Sequence, residues 1–127
     1  MVGAYAMAQA GLVRATGDID LWVACDEENA KKILLALKRF GAPLVGVAET
    51  DFHRPGIVYQ IGVAPNRIDI LTHIDGVDFE EAWSDRIESV VEGVRVPVIG
   101  RVHLLRNKKA AGRLKDLSDA RWLEEHS

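Results

Sequence analysis

Hydrophobic and polar positions along the chain follow two rhythms, one of period two and one near 3.6, and these divide it into strands and helices. Ile19, Leu21 and Val23 alternate with Asp18, Asp20 and Trp22. In an extended chain this places both carboxylates on one face and the aliphatic side chains on the other, predicting a strand over residues 18–24. Asp26 follows as an N-cap, with Glu27 and Glu28 in the first turn. Ala30, Ile33, Leu34, Leu37 and Phe40 then form an apolar stripe, with Lys31, Lys32, Lys38 and Arg39 on the wet face. Gly41 and Pro43 end this helix. A short strand is expected over 44–47 and a loop over 49–56. A hairpin is expected next, with one strand over 57–63, a turn at Ala64-Pro65-Asn66 and a return strand over 67–72. In the return strand Asp69 lies between Ile68 and Ile70 and shares its face with Arg67 and Leu71.

Residues 73–77 read as a loop. Asp78 with Glu81 three residues later has the form of a capping box opening a short helix that runs to about Arg86. Strands over 87–91 and 94–99 flank a Glu92-Gly93 turn. From Arg101 onward the spacing of Leu104, Leu105, Ala111, Leu114, Leu117, Ala120 and Leu123 is helical, interrupted by Gly112. At the opposite end an alanine-rich stretch from Ala4 to a stop at Gly11 favours a short helix. The expected class is α+β in a single domain over residues 1–127. A small mixed β-sheet carries packed helices in residues 1–100, and a helical segment occupies 101–127.

Composition narrows the field. The 127 residues suffice for one buried core, and the net charge of −3 gives no overall attraction for nucleic acid. Cys25, the single cysteine, excludes an intrachain disulfide. No apolar run is long enough to span a bilayer, so the expected compartment is the cytoplasm, with no membrane partner.

The candidate chemistry lies in the acids. Asp18 and Asp20 side by side repel, and their juxtaposition is relieved by protons, by solvent on an open strand face, or by a hard divalent cation such as Mg²⁺ or Mn²⁺. Asp69, set among aliphatic residues, needs a partner, either a salt bridge to Arg67 or a metal, unless its face is open to solvent. If its strand lies beside the first, three carboxylates converge. Lys108, Lys115 and Asp119 fall near multiples of a helical turn and are expected on one face; the bland alternative is a solvated helix with local salt bridges. The four histidines show no zinc-ligand spacing, and Trp22, Trp83 and Trp122 read as core or interface.

Four features taken together, Gly3-Ala4, Asp18-Ile19-Asp20, Arg67-Ile68-Asp69 and the tail from Asn107 to Asp119, resemble the nucleotidyltransferase superfamily that includes DNA polymerase β and the minimal nucleotidyltransferases. The chain is similar in particular to bacterial members whose short domain precedes a helix bearing lysine and aspartate. Toxin components of some abortive-infection and toxin–antitoxin systems belong to that group. The resemblance implies transfer of a nucleoside monophosphate from an NTP to an acceptor, which is an RNA, a protein hydroxyl or a small molecule, with pyrophosphate leaving. It implies Asp18, Asp20 and Asp69 as the catalytic, metal-holding residues for two divalent ions about 3.5–4 Å apart. It further implies nucleotide contacts from the backbone at Gly3 and Ala4, and from Arg14, Thr16, Lys108, Arg113 and Asp116.

Two departures stand out. Ala4 replaces the second glycine or serine usual in the family. Only Met1 and Val2 stand where the family has a first strand, so an open sheet edge and a homodimer are expected. The alternative function is a binding module that keeps the fold without turnover, as one component of a toxin–antitoxin pair with an antitoxin-like partner. A nucleotide-sugar glycosyltransferase, which also uses D-x-D, is disfavoured by the short chain and the third acid.

Overall fold

The computed structural model describes residues 19–63, 66–91 and 93–126. The expected helix from Ala4 to Gly11, together with Gly3, Ala4, Arg14, Thr16 and Asp18, lies outside the described residues. Those described form a mixed α+β architecture whose strands make one three-stranded and one two-stranded sheet.

The first sheet has the order β1 (Ile19–Trp22), β3 (Asn66–Leu71), β2 (Val58–Val63). β1 and β3 are parallel, with Ile19 against Ile68 and Asp20 against Asp69, whereas β2 and β3 form the expected antiparallel hairpin. Parallel neighbours require a crossover, and helix α1 (Glu27–Phe40) begins it. Its start is fixed by Asp26, whose carboxylate accepts a hydrogen bond from the Asn29 N–H at 2.8 Å. Its end is fixed by Gly41, at φ +85°, whose N–H reaches the carbonyls of Leu37 and Lys38. Ala30, Ile33 and Leu37 are buried against Phe52 and Ile70, with Leu21, Val23, Tyr59, Ile61 and Ile68 packed around them. That cluster covers one face of the sheet.

Two local expectations are corrected. Residues 44–47 form a turn rather than a strand: Gly46 takes a left-handed φ of +76°, Val47 N–H bonds the Leu44 carbonyl at 3.1 Å, and Val45 points into solvent. Within the expected loop after it, a 3₁₀ turn spans Glu49–His53. Asp51 accepts the Ala48 N–H at 2.9 Å, which folds the segment tightly enough to bury Phe52.

The remaining elements pack on the opposite side. Helix α2 (Phe79–Ser84) opens at Asp78, which caps the Glu81 N–H as the capping pattern indicated. β4 (Ile87–Val91) and β5 (Val94–Val98) make a separate antiparallel hairpin. The tail divides at Gly112 into α3 (Arg101–Ala111) and α4 (Leu114–Glu125). The two helices run back along each other: Arg101, at the start of α3, donates to the carbonyls of Leu123 and His126 at the end of α4. Leu104 and Leu123 join Ile74, Val77, Ala82, Val98 and Ile99 in a second core that takes in Trp22 and Leu71 from the sheet. No helix among the described residues is long and apolar enough to cross a membrane.

The loop after β3 touches α3 at Gly76. Its φ is +75°, and a Cβ there would stand 2.5 Å from the Ala110 Cβ. Gly46 has nearly the same φ of +76° but nothing within 4 Å of such an atom. Gly46→Ala is therefore expected to lose only the left-handed backbone cost of about 1–2 kcal/mol. Gly76→Ala is expected to lose that plus about 1–3 kcal/mol of overpacking. Urea midpoints of the two variants check the difference.

Candidate active-site face of the sheet

The side of the first sheet turned away from α1 is built in rows by the strand register. Residues opposite each other across a ladder share a face, so Asp20, Asp69 and Gln60 form one row and Trp22, Leu71 and Val58 the next. Trp22 and Leu71 are covered by the second core. The carboxylate row sits beside that covered half, so apolar packing defines one border of a polar strip.

Asp20 and Asp69 thus stand next to each other on neighbouring parallel strands, the juxtaposition anticipated for the two acid motifs. Asp18 lies outside the described residues. Among those described, no group of three or more His, Cys, Asp or Glu side chains is close enough to hold a metal. Asp69 is 7% exposed, and a carboxylate buried to that degree requires positive charge. Arg67 supplies it: its Nε lies 2.9 Å from Oδ1, and its Nη2 donates to Oδ2 at 3.2 Å. Of the alternatives weighed for Asp69, the salt bridge is the arrangement present.

The second source of positive charge comes from the tail. Arg113 donates to Asp116 twice, from Nε to Oδ2 at 2.7 Å and from Nη2 to Oδ1 at 3.4 Å, while its side chain stays largely exposed. Lys108, buried, lies 3.4 Å from Asp116 Oδ1 and 3.2 Å from Asp119 Oδ2. Burial alone pushes the Asp116 carboxyl up, but the Arg113 hydrogen bond and the charges of Lys108 and Arg113 outweigh it and hold the group below the usual aspartate range. The Arg113 guanidinium is raised by the hydrogen bond and charge of Asp116, and further by the charges of Asp75 and Asp20. Asp20 is the smallest of these influences; the main partner of Arg113 is Asp116.

The residues proposed from sequence therefore separate into three groups. Asp20 and Asp69 are brought together, and Arg113 comes within electrostatic reach of Asp20. Lys108 and Asp116 are paired with each other inside the helical hairpin and are buried. Lys115 is exposed while Lys108 and Asp119 are buried: the turn at Gly112 puts Lys108 on a different helix, and Asp116, Asp119, Ala120 and Leu123 form the buried side of α4 without Lys115. Trp22 and Trp122 pack against the second core as expected, whereas Trp83 is half-exposed beneath the Arg86 guanidinium, 4.0 Å above its ring.

Sequence reasoning missed the burial of His103, whose ring nitrogens stand 3.8 Å from Glu81 and 3.8 Å from Asp85. It also missed Gln60 as the third member of the acid row. The signal for Gln60 was present, since pairing the hairpin strands sets it opposite Asp69.

No protein-family model matches the chain, and no curated protein matches it.

The buried network makes two predictions. Lys108→Met leaves Asp116 and Asp119 in the interior without their shared cation and is expected to cost about 3–5 kcal/mol in urea unfolding. The Asp116 carboxyl titrates lower when folded than when unfolded. Its contribution is therefore present above the unfolded value of about 3.9 and lost as pH falls through the lower folded value. In Arg113→Ala, burial works against a weaker set of counter-charges, so acid unfolding is expected to begin at higher pH than in the wild type. Urea titrations across the acid range read that displacement.

Proposed function

We propose that this chain is a nucleotidyltransferase-type protein. In this reading Asp20 and Asp69, with Asp18, hold Mg²⁺ or Mn²⁺, and a nucleoside monophosphate passes from an NTP to an acceptor hydroxyl as pyrophosphate leaves. The observation that carries the reading is the placing of Asp20 directly against Asp69 on adjacent parallel strands, on the sheet face that α1 leaves open.

The described donors suit a hard divalent ion. They are carboxylate oxygens on two neighbouring strands, and Asp69 Oδ1 is buried while accepting no well-directed hydrogen bond despite the nearby Arg67 Nε. An ion bound there supplies Lewis-acid stabilisation of phosphoryl oxygens. Arg113, exposed and within electrostatic reach of Asp20, is the tail residue suited to meet phosphate, since its guanidinium matches two oxygens at once. Lys108 and Asp116 serve the nucleotide indirectly in this reading: Asp116, paired with Lys108, holds one edge of the Arg113 guanidinium. The acceptor, whether RNA, protein hydroxyl or small molecule, is left open.

A second reading is a binding module that keeps the fold without turnover, as in a toxin–antitoxin component with an antitoxin-like partner. The Arg67–Asp69 pair favours it, because it neutralises the buried acid without any ion.

Pyrophosphate release from each of the four NTPs, with Mg²⁺ or Mn²⁺ and candidate acceptors, separates the two. The enzyme reading expects release that falls more than about 100-fold in Asp20→Asn and in Asp69→Asn, since even outer partners of metal ligands typically cost 10–100-fold. Metal-dependent NTP binding by calorimetry without release selects the module. Absence of metal-dependent NTP binding sinks the enzyme.

A further inference from the structure

We propose that Arg67 is a built-in competitor for the divalent ion. Its guanidinium occupies the oxygens of Asp69 that a metal needs, so the ion binds only as Arg67 withdraws. The inference rests on the metal reading of the acid row given above.

The first support is geometric. Arg67 lies against both carboxylate oxygens of Asp69: Nη2 donates to Oδ2 at 3.2 Å, and Nε stands 2.9 Å from Oδ1 as an ion contact without hydrogen-bond alignment. A guanidinium this close to both oxygens takes the space and the charge complementarity that a metal bond of about 2.0–2.1 Å in octahedral geometry needs. One carboxylate does not serve both cations fully.

The second support is the strand itself. Arg67 precedes Asp69 by two residues on β3, so both side chains leave the same face. Across the ladder Arg67 is paired with Gly62, which has no side chain. The guanidinium therefore lies back along its own strand over Asp69 without competition from that neighbour. It also has a way out, for the Arg67 side chain is 31% exposed against 10% for Asp69. The arginine moves to solvent more readily than the aspartate.

The third support is charge. Asp69 and Asp20 sit opposite each other on neighbouring strands, a spacing of about 4.8 Å between backbones. Such a pair is unstable without a cation, and Arg67 provides one before any ion arrives. Apparent metal affinity is then the intrinsic affinity multiplied by the fraction of molecules in which Arg67 is withdrawn. By reciprocity, a phosphate-bearing ligand that draws Arg67 away strengthens metal binding. The device couples the ion to the arrival of an anionic ligand.

Calorimetry and Mn²⁺ electron paramagnetic resonance with Mn²⁺ alone test this on the whole chain. Arg67→Ala is expected to bind Mn²⁺ at least about tenfold more tightly than wild type, with Arg67→Lys between them because an ammonium grips one point rather than two. The melting temperature of Arg67→Ala is expected to rise with Mn²⁺ by more than that of wild type. Mn²⁺ binding unchanged or weakened in Arg67→Ala, while Asp69→Asn abolishes it, overturns the competition and leaves the metal reading standing. No Mn²⁺ binding in any variant overturns both.

If Arg67→Ala does not fold, the wild type answers directly. Mg²⁺ titration is expected to shift one arginine Nε resonance, the one missing from the spectrum of Arg67→Lys. A resonance that stays fixed while Mg²⁺ binds overturns the proposal.

Discussion

Two carboxylates held on adjacent strands must be given positive charge, and the polar half of this molecule is organised around that requirement. The parallel register of β1 and β3 sets Asp20 against Asp69. Arg67 answers from within the sheet, and Arg113 approaches from the tail. Arg113 is itself anchored by Asp116, which shares Lys108 with Asp119. The result is a chain of alternating charge that runs from a half-covered sheet face into a buried helical hairpin. Asp69, Lys108, Asp116 and Asp119 are buried, and each would be costly without its partner. The tail itself is docked on the sheet by the second core, where Leu104 and Leu123 meet Trp22 and Leu71.

The apolar side of the structure makes that arrangement possible. β1 and the residue after it contribute to both cores through the alternation of their side chains: Leu21 and Val23 pack toward α1, and Trp22 packs toward the C-terminal elements. The sheet is therefore held from both sides on the same four-residue strand. Polar groups are confined to the part of the outer face that Trp22 and Leu71 do not occupy. The position of the acid row is thus a consequence of where hydrophobic burial stops.

Most elements were legible because their signals are local. Asp26 and Gly41 bracket α1, Asp78 opens α2, and alternation marks β1, β2 and β3. Residues 44–47 misled because two of their apolar side chains, Leu44 and Val47, do pack on the first core, yet from a turn that Gly46 imposes. The adjacency of Asp20 and Asp69 could be posed as a condition from sequence, but only strand pairing settles it. Likewise both fates of Asp69 were visible from its spacing to Arg67, and burial decided between solvent and salt bridge. The influence of Asp20 on Arg113 was not legible at all, since it arises from the docking of the tail and not from any local period.

Gly112 ends α3 in the left-handed conformation, at φ +70°. Had the chain continued as a right-handed helix, Lys108 and Asp116 would be separated by eight residues, or about 12 Å along the axis. Folded back, their charged atoms are 3.4 Å apart. A single backbone torsion in the tail therefore acts as a latch: it decides whether the interior lysine meets the two acids that neutralise it.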